Sequence, residues 1–147
     1  MMSVEPGIVD ANILVYAVNA AAPQHAASRS LLEAALDPAV SLYVTSQIIC
    51  EFYSLITNPK RTAMAWSSVE AVQLISELLA SPGLKVLPAP AQAVAGLIEL
   101  LKRSAVTGSD VFDLQIVATM QANNIRRIYT FNTGDFLKFS ELTVITP

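Results

Sequence analysis

Residues 106–136 read VTGSDVFDLQIVATMQANNIRRIYTFNTGDF, and the order of elements in this stretch decides the fold. Asp110 and Asp113 stand three apart at what reads as a helix start, a spacing that lets both carboxylates share a face. Ser109 is the expected N-cap, and Phe112, Ile116 and Val117 follow at helical spacing. Asn123-Asn124 offers the stop. Arg127 to Phe131, rich in aromatic and β-branched residues, then reads as a strand that leaves through the turn Asn132-Thr133-Gly134-Asp135. A carboxylate opening a helix and another just past a strand end lie close together in a parallel α/β fold, where pockets form outside the strands' carboxyl ends.

Working outward, Gly7 to Val9 reads as a buried strand ending in Asp10, with Asn12 two residues on in the helix that follows. Pro23 interrupts, His25 follows, and Ala26 to Leu36 is amphipathic. Leu42 to Thr45 is a second strand, after which Ser46 is the expected cap of a helix carrying Glu51. Asn58-Pro59 ends that helix, and Lys60-Arg61 follow in a loop. Ser67 and Glu70 form a capping-box pair opening a helix to about Ala80. Leu84 to Leu87 is a third strand, the helix after Pro90 closes on Lys102-Arg103, and Leu142 to Thr146 is a last strand. The alternation implies one α/β domain over residues 1–147 with a parallel sheet of about five strands.

At 147 residues the chain can bury a real core. Its 53% hydrophobic content is high against 14% charged residues, and the mean hydropathy is +0.49. No apolar run reaches membrane-span length, and the N-terminus has no basic n-region, so neither membrane insertion nor a signal peptide is expected. The apolar excess is therefore expected on surface that a partner covers. The single cysteine, Cys50, excludes an intramolecular disulfide, fits a reducing cytoplasm and is expected in the core. A net charge of −3 argues against indiscriminate nucleic-acid binding.

The candidate site residues are acids: Asp10, Glu51, Asp110, Asp113 and Asp135. Clustered carboxylates resist ionising unless cations offset them, either lysine and arginine or a divalent ion. No cation flanks Asp10, Glu51 or Asp113 in sequence, which favours the ion. An all-oxygen donor set suits Mg²⁺ or Mn²⁺, and such sites serve phosphoryl transfer. Asp110 best fits a plain helix-dipole partner, and Asp135 also fits an Asx turn. His25 is expected at the surface or in a local contact, and no glycine-rich phosphate loop exists.

Taken together, I-V-D-A-N (8–12), C-E-F (50–52), T-N-P-K-R (57–61), F-D-L-Q-I-V-A (112–118) and T-F-N-T-G-D-F (130–136) resemble a PIN-domain ribonuclease of the VapC-like type, the toxins of toxin–antitoxin pairs. The resemblance spans nearly the whole chain and implies a three-layer α/β fold with helices flanking the sheet. It also implies a Mg²⁺-dependent endoribonuclease, homodimeric and held inactive by a cognate antitoxin. By that likeness Asp10, Glu51 and Asp113 match the acidic metal-site positions. Many relatives carry an acid where Asn132 stands, whereas this chain has asparagine there; Asp135 is expected to take the fourth role. Thr130 is expected to hydrogen-bond a metal ligand or bound water. Lys60, Arg61, Thr130 and Asn132 form the expected substrate-binding set. Aspartate to asparagine at Asp10 or Asp113 is expected to remove metal binding and cleavage while stability holds or rises. The competing readings are a receiver-like domain, whose phosphoacceptor aspartate on the third strand is missing here, and a catalytically silent α/β binding module.

Overall fold

The computed structural model describes residues 3–62 and 64–147. Its five short strands are β1 (Gly7–Val9), β2 (Leu42–Val44), β3 (Leu84–Val86), β4 (Arg127–Tyr129) and β5 (Thr143–Ile145). They form one sheet of order β3-β2-β1-β4-β5, parallel throughout. β1 lies at the centre, with Ile8 opposite Tyr43 on one side and Ile128 on the other. All its residues are buried, as a strand covered on both faces must be. Gly7 is required there: a Cβ would stand 2.9 Å from the Tyr129 ring, so any side chain would push β4 away.

The helices are α1 (Ala11–Ala17), α2 (His25–Ala34), α3 (Ser46–Thr57), α4 (Ser68–Leu79), α5 (Gln92–Arg103) and α6 (Val111–Ala122). They flank the sheet in a three-layer α/β fold. α1 packs on α2 and α3, α3 on α4, and α5 along α6. The core runs through Ile8, Leu42, Ile48, Phe52, Leu114 and Ile128, all fully buried, and truncating one to alanine would cost about 2–5 kcal/mol.

Local chemistry sets the helix starts. Asp10 caps α1, Thr45 caps α3 by accepting from Ile48 N–H, and Ser67 with Glu70 forms the expected capping box of α4. Two expected caps are corrected. Ser46 is the first residue of α3 rather than its cap, because Thr45, the last extended residue, takes the capping position itself. Ser109 lies inside a 3-10 turn, Gly108–Asp110, that precedes α6, and α6 begins without a side-chain cap. Gly108, at φ +60, supplies the left-handed residue that this turn needs. α6 is buried on nearly every side from Leu114 to Met120, as a helix apolar all round should be. Asn124, at φ 57, follows its end. Among the described residues no helix is long and apolar enough to cross a membrane.

Candidate active site

Numbered along the sheet, the chain runs outward from β1 through β2 to β3, then returns to β1's other side with β4 and β5. The order therefore reverses between β1 and β4, and open α/β sheets place their sites at such a reversal, outside the strands' carboxyl ends. Asp10 follows β1 and Thr130 follows β4, so both stand at that edge. Asp10 is only 7% exposed, and both its oxygens are engaged. Oδ1 accepts from Ala11 N–H at 2.8 Å. Oδ2 accepts from the Thr130 hydroxyl at 2.8 Å and from Asn12 Nδ2 at 3.1 Å. Asn12 Nδ2 also donates to Thr130 Oγ1, and its Oδ1 accepts from Phe131 N–H. The Thr130 oxygen accepts once more, from Asn132 N–H. One donor and two acceptors exhaust a hydroxyl, so Thr130 is saturated.

The rest of the acidic group is looser. Glu51, half-buried on α3, accepts from Gln47 Nε2 at 2.9 Å, and the same amide donates to the Phe112 carbonyl at 2.8 Å. This ties α3 to the first turn of α6, where Asp113 lies. Asp113 is pushed up to about 6, first by burial and then by the charges of Asp135, Asp10, Glu51 and Asp110. Asp10 is raised by burial, which outweighs hydrogen bonds from Thr130, Ala11 and Asn12, and the charge of Asp135 raises it further. Glu51 is raised by burial and by Asp10, against the Gln47 bond. Every charge acting on these three acids is negative. The charges of Asp10, Glu51, Asp113 and Asp135 thus act on one another, although these residues follow β1, lie on α3 and α6, and stand in the turn after β4.

Residues 7–142 match the PIN domain family, most of the chain. The chain belongs to the PIN domain family. It is 28% identical over 116 residues, 79% of each chain, to a VapC ribonuclease of Mycobacterium bovis and to ribonuclease VapC43 of Mycobacterium tuberculosis. Its fold is similar to that of VapC20 of M. tuberculosis, a sarcin–ricin-loop-cleaving toxin (TM-score 0.70, 18% identity, 95% of this chain and 98% of that one). It is also similar to a chain of VapBC2 from Rickettsia felis, solved on a DNA fragment from the promoter (TM-score 0.65, 18% identity, 97% and 99% covered). Membership of the PIN family replaces the receiver-like reading. The sheet agrees, since receiver domains follow the order 2-1-3-4-5 and this chain runs β3-β2-β1-β4-β5.

The donor chemistry of this PIN domain fits a hard divalent cation: carboxylates held near one another with raised affinity for protons would gain from a shared positive charge. Among the described residues, no three acidic, histidine or cysteine side chains stand close enough to grip an ion as placed. Asp10 and Glu51 instead direct oxygens at Thr130, Asn12 and Gln47.

Other expected residues sort differently. Thr130, expected among substrate-binding residues, is 0% exposed and has no surface to present; it positions Asp10. Asn132 is exposed beside the pocket, and its side chain caps nothing. Lys60 and Arg61 are exposed in the turn after α3, beyond a helix end that is itself about 9 Å of axis past Glu51. His25 opens α2 with Nδ1 2.9 Å from the Tyr16 carbonyl, a local contact. Cys50 is exposed, against the expectation of a core residue, since Phe52 and Ile48 take the inward face of α3. Phe112, read as part of the apolar face of α6, also points outward.

Sequence reasoning gave no role to Asn12 or Gln47. Asn12 sat in the quoted motif, and Gln47 stands four residues before Glu51 on one helix, a spacing that places amide and carboxylate side by side. Either signal was available.

Proposed function

We propose that this PIN domain is a divalent-metal-dependent endoribonuclease, using Mg²⁺ or Mn²⁺, that hydrolyses RNA phosphodiester bonds as the toxin of a cytoplasmic toxin–antitoxin pair. The observation that carries the reading is the state of Asp113: four other carboxylates act on it, none of the acting charges is positive, and its proton affinity rises to about 6. The names of its relatives, ribonucleases and toxins, support the substrate and setting.

Asp10, Glu51, Asp113 and Asp135 would hold the ion. Bound there, it would activate water and offset charge on the scissile phosphate. Asn12 and Thr130 hold the Asp10 carboxylate in one orientation, and Gln47 holds Glu51 while fixing the start of α6. Asn132, exposed, would meet substrate at the rim, and Lys60-Arg61 would contact its backbone away from the cut.

The relatives in VapBC complexes support a cognate antitoxin as partner. Exposed Val69 and Val72 on α4, and exposed Val94 and Ile98 on α5, would serve antitoxin and homodimer contacts. A clean monomer at micromolar concentration would count against the dimer.

The deciding experiment is digestion of a mixed tRNA and mRNA pool with and without Mg²⁺, mapping the cut ends. Discrete metal-dependent cuts are expected. An intact pool under both conditions, with a folded protein, would leave a binding module and overturn the nuclease reading.

A further inference from the structure

Nearly every aromatic side chain of the protein is buried or half-buried; among the described residues Phe112 alone is exposed, at 50%. It stands one residue before Asp113, on the first turn of α6. Its backbone is fixed, because its carbonyl accepts from Gln47 Nε2, the amide that also holds Glu51. The core contacts of α6 come from Leu114, Ile116, Val117 and Met120, so packing does not account for the ring. Its own segment carries Ser109, Asp110 and Asp113, and on α3 Gln47, bonded to Glu51, reaches its carbonyl. A lone apolar ring in such surroundings is a poor centre for a protein interface, which needs a contiguous desolvated patch. It suits a flat, uncharged ligand group.

Lys60 and Arg61, which would contact the RNA backbone, lie beyond the end of α3, away from the acids. Affinity close to the cut must therefore come partly from uncharged contacts, and the face of a nucleobase offers one. Bases inside an A-form duplex are stacked on each other and present no free face to a side chain. Resting on the nuclease reading above, we propose that Phe112 is a stacking platform for an unpaired base beside the cleavage site.

The test places a fluorescent base analogue in a short single-stranded RNA and in its duplex, with Ca²⁺ replacing Mg²⁺ to slow cleavage. Wild-type protein should quench the analogue in the single strand and leave the duplex signal unchanged. Phe112→Ala should lose the quench and bind roughly 5- to 150-fold more weakly, the loss expected for one base–aromatic stack. The salt dependence should not change, because no ionic contact is removed. Phe112→Trp should restore quench and affinity. If Phe112→Ala keeps both while wild-type protein cuts RNA, the platform is overturned and the nuclease reading stands. A change confined to oligomeric state would make Phe112 a protein contact and also overturn it. If wild-type protein neither cuts nor binds RNA, the nuclease reading falls and this inference falls with it.

Discussion

The two sides of the acidic pocket are built differently. On the β1–β4 side, Asp10, Asn12 and Thr130 are buried or nearly so, and their side-chain polar groups are engaged. On the α3–α6 side, Glu51 and Asp113 are half-exposed, with one amide from Gln47 linking the helices. The first side resembles a fixed jaw, its geometry over-determined by hydrogen bonds. The second is compliant, held by a single bridging side chain and loaded with repulsion. A site built this way keeps one reference carboxylate still and leaves the others free to adjust to what binds.

The largest expected effect separates the two sides by stability rather than by activity. Asp10→Asn and Asp113→Asn should each abolish metal-dependent cleavage, losing more than the about 10–100-fold typical of residues that only orient metal ligands. Asp113→Asn should leave the melting temperature unchanged or raised, since it removes a repelled charge. Asp10→Asn should lower it, which revises the expectation from sequence. An amide at that position must turn a donor toward Thr130 and Asn12, or else toward Ala11 N–H, breaking the cap at a cost of about 1 kcal/mol. Equal thermal shifts for the two variants would erase the distinction. Cleavage at the normal rate by folded Asp10→Asn or Asp113→Asn protein would remove the acids from the chemistry.

Positioning residues come next. Asn12→Ala should cut cleavage about 10–100-fold, and it should cost about 1–3 kcal/mol by leaving Phe131 N–H without a partner. Gln47→Ala should cost only several-fold in cleavage and little stability, because Glu51 can turn to water. Steady-state rates and thermal melts on both proteins check this ordering; a larger loss for Gln47→Ala would put the rigid jaw on the wrong side. Smaller again is Lys60→Ala with Arg61→Ala, which should weaken RNA binding at all sequences and reduce the salt slope by about one for each contact removed. An unchanged slope puts the RNA path elsewhere.

The smallest effect is a pH dependence. Asp113 in the folded protein takes up a proton near pH 6, whereas in the unfolded chain it does so near its ordinary value of 3.8. Between those values the native state binds the extra proton, so metal-free protein should gain stability as pH falls through 6. Asp10 and Glu51, raised also, add in the same direction. Saturating Mg²⁺ should flatten the trend by supplying the missing charge. Thermal melts across this range, with and without Mg²⁺, measure it, and a metal-free stability that falls steadily below pH 6 would contradict the repulsion.

Much of this was legible in the chain because the informative residues interrupt apolar runs. Asp10 ends a strand that is otherwise all apolar, and a carboxylate there is hard to place except at a strand's carboxyl edge. The strand–helix alternation foretold about five parallel strands because the early connections are long enough for the crossovers that parallel pairing needs. The misreadings share a cause. Caps at Ser46 and Ser109 depended on the residue at which extended backbone gives way to helix, and short-range patterns blur that by a residue or two. The outward direction of Phe112 and Cys50 depended on which neighbours already filled the inward faces of α6 and α3. Asp10 and Asn12, partners of the Thr130 hydroxyl, lie more than a hundred residues away in the chain. No local pattern carries that information.

That separation also has a temporal side. Asp10 and the hydroxyl that orients it are 120 positions apart. At a synthesis rate of about 5–20 residues per second, roughly 6–24 s pass between making one and making the other. During that interval Asp10 can cap α1, but its second oxygen has no Thr130, and Asp113 and Asp135 join it only towards the end. The pocket is therefore among the last parts of the protein to be completed as the chain emerges, and no N-terminal fragment ending before β4 can carry it.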